Sequence, residues 1–238
     1  MFRQTLIILT LLFVLSCSDK AIMRRRVRNT IKACGYTSDT NKIFSSTKNE
    51  LQIYNLRPNE TVAEIGFGTG WLTGVILIQY DSLTYYANDI DEASLKAIDP
   101  ITKKYLGLRK TTNTNKLVIV KGTTTKTNLP ANSFDKIIVR ETFHHFEFPN
   151  EMLQDIKGLL KASGTLFVYE PAVEKTFFSN ECGSNNYSKA DLLKFFADNN
   201  FSLIAEHDLF DSPGNIPSWW ASDPTKIRPK KVFVFNKH

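Results

Sequence analysis

"ETVAEIGFGTGWLT" spans residues 60–73 and decides how the rest of the chain is read. A short apolar run containing Val62, Ala63 and Ile65 meets three glycines in five residues, Gly66, Gly68 and Gly70, and a second apolar run follows. Glycine takes positive φ without steric cost and lets a ligand approach the backbone, but it loses the most chain entropy on folding. Three in register between two apolar runs predict a strand, a ligand-facing turn and a helix. A pyrophosphate-binding turn would want a glycine at position 71 as well. That position is Trp71, so a nicotinamide or nucleotide-sugar enzyme is the weaker reading. A phosphate loop is excluded because no Gly-Lys-Ser/Thr follows.

Working outward, the chain alternates strand-like and helix-like segments. "NELQIYNL" reads as a short lead-in helix, "LTYYAND" as a second strand, and "DEASLKAI" as a helix that stops before Pro100. "KLVIVKG" and "FDKIIVRE" are the third and fourth strands, and "NEMLQDIKGLLK" is a helix with Asn150 as N-cap. "GTLFVYEP" is a fifth strand. "SKADLLKFFADNN" is a helix with Ser188 and Asp191 at capping-box spacing. "FSLIAEHDL" and "KKVFVFN" close the chain as two strands that pair antiparallel. Such alternation implies right-handed βαβ units. The expected fold is α/β: a Rossmann-like, doubly wound, mostly parallel seven-stranded sheet with an antiparallel last strand. The expected organisation is a signal over 1–17, a basic linker and lead-in over 18–48, and the folded domain over 49–238.

"VAEIGFGTGWLT" resembles motif I of the class I S-adenosylmethionine-dependent methyltransferases, an apolar strand and an acid followed by Gly-x-Gly-x-Gly. The resemblance implies that Glu64 helps hold the methionine end of the cofactor and that Gly66, Gly68 and Gly70 cradle it. "YYANDIDEASL" resembles the second-strand end of that family, which places Asp89 on the ribose hydroxyls, with Asp91 as the alternative and Ile90 against the adenine. "GTTTKTNLPANSFDKIIV" resembles the stretch between the third and fourth strands. The family often has Gly-Asp there, and this chain has Gly122–Thr123, so Thr123 stands where an acid would meet the adenine amine. "LLKASGTLFVYEP" resembles the fifth-strand entry, with Ala162, Ser163 and Gly164 in place of Pro-Gly-Gly.

The loop after the fourth strand, "RETFHHFEFPNE", faces the transferable methyl in such folds, and its "HHF" resembles the small-molecule methyltransferases of the type 11 group. Glu141, His144 and His145 are the candidate catalytic groups, and Arg140 is a candidate cofactor contact. A histidine that is neutral near pH 7 removes a proton from a hydroxyl or amine. The competing reading is a histidine that caps a helix or sits satisfied in the core. No metal-ligand spacing is present.

Charge separates the N-terminus from the body. The net charge is +6, yet Arg24, Arg25, Arg26, Arg28 and Lys32 fall within one short acid-free run, leaving the remainder almost neutral. That argues against a domain-wide nucleic-acid surface and fits a basic collar or solvated linker. Ahead of it, "MFRQTLIILTLLFVLSCSDK" has one early basic residue, a short apolar stretch and a small-residue end, the pattern of a secretory signal. "VLSC" resembles a bacterial lipoprotein signal with Cys17 lipidated, which implies lipid anchoring in a bacterial cell envelope. A plain signal peptide is the alternative. The flanking arginines favour a second topology, an anchor with the body facing the cytoplasm. Cys34 and Cys182 are candidates for a disulfide if the body is exported. The paired Trp219 and Trp220 are candidates for a substrate cover, a membrane contact or core packing.

Three functions follow. The leading one is methyl transfer from S-adenosylmethionine to a small-molecule acceptor. The second is a membrane-tethered, non-catalytic binding module that keeps the fold. The nucleotide-binding Rossmann enzyme is third.

Overall fold

The computed structural model describes residues 39–179, 183–209 and 230–238. Cys17, Cys34 and Cys182, the arginine run, Trp219 and Trp220 lie outside the described residues. The elements in chain order are α1 (Thr40–Tyr54), β1 (Thr61–Ile65), α2 (Trp71–Gln79), β2 (Thr84–Asp89), α3 (Glu92–Leu106), β3 (Lys116–Lys121) and β4 (Phe134–Arg140). A 3-10 turn (Phe143–His145) precedes α4 (Pro149–Leu159), β5 (Leu160–Pro171), β6 (Phe177–Ser179), β7 (Ser184–Asn186), α5 (Lys189–Asp198), β8 (Phe201–Leu209) and β9 (Lys230–Lys237).

Seven strands form one sheet in the order β3-β2-β1-β4-β5-β9-β8. β1 to β5 pair in parallel, and β9 runs antiparallel between β5 and β8. The chain starts in the centre, winds outward through β2 and β3, then returns to lay β4 beside β1. The strand order therefore reverses at β1, and the crevice beyond the carboxyl ends of β1 and β4 is the expected ligand position. The period of two in β1 divides the core. Val62 packs with Leu72, Val75 and Ile76 on one face, and Ala63 and Ile65 pack with Leu153, Ile156 and Phe196 on the other.

Four features differ from the sequence expectations. α1 begins at Thr40, inside the expected linker, with Asp39 capping it by accepting from the Asn41 and Lys42 amides. Its buried side is Ile43, Thr47, Glu50, Leu51 and Tyr54, a helical stripe with two polar members. α3 does not stop before Pro100 but runs through it to Leu106. The proline removes one helix hydrogen bond, at about 3 kcal/mol. Burial of Ile101 and Tyr105 beyond it offsets that cost, at about 1.5–3 kcal/mol each. The Tyr105 ring packs so closely on α2 that a Cβ at Gly74 would lie 2.3 Å from it. α4 starts at Pro149 with Phe148 as its N-cap, because proline at the first helical position is already set to helical φ and has no N–H to leave unpaired. Asn150 Oδ1 instead accepts from the Asn199 side-chain Nδ2 at 2.9 Å. Finally, β6 and β7 form a small hairpin between β5 and α5.

Candidate active site

The three glycines share left-handed φ values of +74°, +50° and +70° but serve different purposes. At Gly66 a Cβ would sit 2.1 Å from the Thr142 side chain, so the turn must pass directly under the loop that follows β4. Thr142 ties the two together by donating to the Gly66 carbonyl at 3.1 Å. Gly70 is the N-cap of α2, and a Cβ there would sit 2.4 Å from Ile98 of α3. Gly68 is different: nothing lies within 4 Å of where its Cβ would be. Its N–H donates to Asp89 Oδ2 at 2.7 Å.

Gly66, Gly68, Asp89 and Thr142 border a cavity of about 490 Å³, which also takes in Ile90, Trp71, Thr123, Arg140, Glu141, His145, Phe146 and Met152. That volume lies within the range of small-molecule sites. Asp89 ends β2, and its second oxygen accepts from the Asp91 amide at 2.9 Å. Asp91 itself caps α3 through the Ser94 amide, so the two neighbouring acids have different duties. Ile90 between them is half exposed at the cavity edge. Thr123 folds its hydroxyl back onto its own turn, accepting from the Lys126 amide at 3.0 Å.

Glu64 is buried beneath the cavity. One oxygen, Oε2, accepts from the Thr73 hydroxyl at 2.5 Å and the Tyr85 hydroxyl at 2.9 Å. Burial pushes its carboxyl up from 4.5 to about 7, against the pull of those two donors and of Arg140. The sign has a consequence for stability. Between pH 4.5 and 7 the folded, ligand-free protein holds a proton that the unfolded chain has released, so this group lowers stability as pH rises through that window. Glu64→Gln is therefore expected to raise the unfolding free energy at pH 8 by about 2–3 kcal/mol and to leave it nearly unchanged at pH 4. Urea unfolding of both proteins at the two pH values checks this; equal pH dependence in the variant would refute it.

The end of β4 carries a charge network. The Arg140 guanidinium donates to Glu50 of α1 through Nε at 2.8 Å and to Glu141 through Nη1 at 3.0 Å. It lies over the Tyr169 ring at 4.4 Å and the Trp71 ring at 4.7 Å. Burial works against its charge, but Glu50 and Glu141 outweigh it and raise the Arg140 pKa above the usual arginine value. Glu141 has φ +49°, uncommon for a side chain of this size, and its amide donates to the Tyr169 carbonyl at 2.8 Å. Burial disfavours its charge as well, yet Arg140 and Lys230 together hold its carboxyl at about 2. Lys230 reaches Glu141 from β9 at 2.7 Å.

The two histidines part company. His144 is buried, and its Nδ1 lies 2.6 Å from Glu170 Oε2. Glu170 Oε1 accepts from the Phe143 amide at 2.8 Å, so His144 and Glu170 fasten the 3-10 turn to β5 and His144 is not part of the cavity lining. His145 lines the cavity, its ring 4.1 Å from that of His144. Burial first and the adjacent His144 second hold its pKa below the usual histidine value, so it is neutral at pH 7. The cavity thus gathers Glu64, Gly66, Gly68, Asp89, Ile90, Thr123, Arg140, Glu141 and His145. It excludes Gly70 and His144, which support it from behind.

Sequence reasoning missed Glu50, Thr142, Tyr169 and Glu170. Only Glu50 carried a local signal, its position on the helical stripe of α1. Among the described residues no cluster of three His, Cys, Asp or Glu side chains is arranged to hold a metal ion, and no helix is long and apolar enough to cross a membrane.

Residues 63–168 match the methyltransferase-domain family. That segment runs from β1 into β5 and contains the cavity-lining glycines, acids and His145. Solved structures align over more of the chain. A SAM-dependent methyltransferase from Aquifex aeolicus is 19% identical, with a TM-score of 0.59 over 79% of this chain and 88% of its own. An O-methyltransferase of Brevibacillus brevis, in complex with S-adenosyl-L-homocysteine, is 16% identical, with a TM-score of 0.53 over 75% and 66%. The [4+2]-cyclase SpnF is 14% identical, with a TM-score of 0.60 over 83% and 79%. At such identities the likeness shows a shared fold, here the Rossmann-like fold of SAM-dependent methyltransferases. No curated protein matches the chain.

Proposed function

We propose that the protein transfers a methyl group from S-adenosylmethionine to a small-molecule acceptor. The observation that carries this is the charge of one cavity. Its lining includes five acidic side chains, Glu64, Asp89, Asp91, Glu141 and Glu147, of which Glu64 is about half-protonated near pH 7, against one arginine already engaged by Glu50 and Glu141. Such a lining rejects a dinucleotide pyrophosphate and accepts a ligand with a positive centre. The cofactor is S-adenosylmethionine, in keeping with the family match and the structural neighbours. Its sulfonium supplies an activated methyl group.

The chain's own residues then divide the work. The open backbone at Gly68 gives the ligand close approach, and Asp89 beside it retains lone pairs for ribose hydroxyls. Ile90 and Thr123 border the adenine end, and Glu64 lies under the methionine end. Trp71, Phe146 and Met152 exclude water around the acceptor. His145, neutral at pH 7, takes the proton from an acceptor hydroxyl or amine. Ionised Glu141 keeps Arg140 and Lys230 in place. Much of the rate then comes from positioning. The non-catalytic module has less support, because Glu64, Gly66, Gly68 and Asp89 line one cavity.

The test is calorimetric titration of the full chain with S-adenosylmethionine and S-adenosylhomocysteine, beside Asp89→Ala. Micromolar binding that weakens at least tenfold in the variant, about 1.4 kcal/mol, is expected. A folded wild-type protein that binds neither compound would refute the reading.

We further propose attachment to a bacterial cell-envelope membrane through lipidated Cys17, with a cytoplasm-facing anchor as the competing topology. Cys17→Ala is expected to move the protein from the membrane to the soluble fraction. Membrane retention of the variant would favour the anchor.

A further inference from the structure

Glu64 is placed as no other acid of the cavity is. Asp89 shares its charge with two backbone amides, Asp91 caps a helix, and Glu141 sits between two cations. Among the described residues Glu64 has only neutral partners at hydrogen-bond distance, Thr73 from α2 and Tyr85 from β2, and both meet the same oxygen. The charged groups around it are Arg140 from β4, which favours its ionisation, and Asp89 from β2, which opposes it. Arg140 is turned to Glu50 and Glu141, and no ion pair joins it to Glu64 among the described residues. Glu64 is thus a nearly fully buried carboxyl with no ion-pair partner among the described residues, and burial strongly disfavours its charged form.

A cationic ligand changes that balance. Resting on the S-adenosylmethionine reading, we propose that Glu64 is a proton-linked selector of the donor: donor and product share the ammonium and carboxylate of the amino-acid tail, and the sulfonium charge that the donor adds is what makes Glu64 release its proton to solvent, a proton regained when the product with its neutral thioether sulfur is left behind. A charged Glu64 then strengthens binding of the donor, and a neutral Glu64 avoids that preference for the product. The residue so discriminates between two ligands that differ by one methyl and one positive charge. The reciprocal effect is fixed by linkage: whatever the cation does to the proton, the proton does to the cation.

Calorimetric titration of the full chain in buffers of different ionisation enthalpy reads the proton count directly. With S-adenosylmethionine about half a proton is expected to be released near pH 7, rising toward one near pH 6. Affinity is expected to fall about tenfold between pH 7.5 and 5.5. S-adenosylhomocysteine should show less release and a flatter profile. Glu64→Gln should abolish the difference between the two ligands. Should that variant bind neither, Tyr85→Phe supplies the second test. It keeps the carboxylate but removes a donor that favours its charge, so the midpoint of the pH profile should move upward. Tight donor binding with no more proton release than the product gives, or an unmoved midpoint in Tyr85→Phe, would overturn the inference and leave the cofactor reading standing. Absence of binding at any pH would instead strike the cofactor reading itself.

Discussion

Gly66→Ala is expected to destabilise the fold by about 3–4 kcal/mol, whereas Gly68→Ala should cost only about 1–2 kcal/mol and act mainly on binding. Both positions have left-handed backbone, at φ +74° and +50°, and an alanine there costs about 1–2 kcal/mol in conformation alone. At Gly66 the new methyl would also lie 2.1, 2.6 and 2.9 Å from three atoms of Thr142. Threonine is short, branched at Cβ and stiff, and this one is fixed by bonds to the Gly66 and Arg140 carbonyls. Overpacking of that kind adds about 1–3 kcal/mol. At Gly68 the methyl enters open space beside the cavity, in a turn whose N–H orients Asp89. Urea unfolding with S-adenosylmethionine titration separates the two. The first variant should show a large fall in stability, and the second a near-native fold with at least tenfold weaker binding. Equal stability losses would mean that Thr142 yields and the contact is not a constraint.

This division among the glycines was beyond the reach of sequence. The three residues announced a turn because they lie within five positions of one another. What each meets depends on Thr142 and Ile98, which arrive from the loop after β4 and from α3. The same rule separates the rest. The central strands were readable because they are buried on both faces and show short apolar runs. β6 and β7 were not, since "FFS" and "SNN" are three residues each and one of them is polar throughout. α1 was partly concealed because Thr47 and Glu50 occupy buried positions of its stripe. Glu64 and Asp89 stood out beside the glycines and at a strand end. Adjacent His144 and His145 were indistinguishable until Glu170, 26 residues away, took one of them out of the cavity. The partner that anchors Arg140, Glu50, is 90 residues distant in sequence.

That distant pair supplies the other large expected effect. Glu50→Ala should cost about 3 kcal/mol of stability and also weaken donor binding. The Arg140 and Glu50 side chains retain only 20% and 8% of their exposure, so this is a mostly desolvated pair rather than a surface contact. Removing one partner of a buried pair typically costs about 3–5 kcal/mol because the other charge is left uncompensated. Glu141 still holds one side of the guanidinium, which places the loss at the lower end. The fully buried Tyr54 hydroxyl loses its acceptor as well, since it donates to Glu50 at 2.8 Å. Glu50→Gln keeps that acceptor and should lose roughly half as much. Replacing both charges, Glu50→Leu with Arg140→Met, should restore part of that loss, because no uncompensated guanidinium is left, while the Tyr54 hydroxyl still lacks its acceptor and Glu141 keeps only Lys230. A double-mutant cycle by urea unfolding measures the coupling, expected at about 2–3 kcal/mol. The binding effect has a separate cause. With Glu50 gone, Arg140 presents surplus positive charge to a cavity that we propose receives a sulfonium, so S-adenosylmethionine should weaken more than S-adenosylhomocysteine, which lacks the sulfonium charge. A coupling below about 0.5 kcal/mol, with both ligands unaffected, would show that α1 merely lies beside the site and does not set its charge.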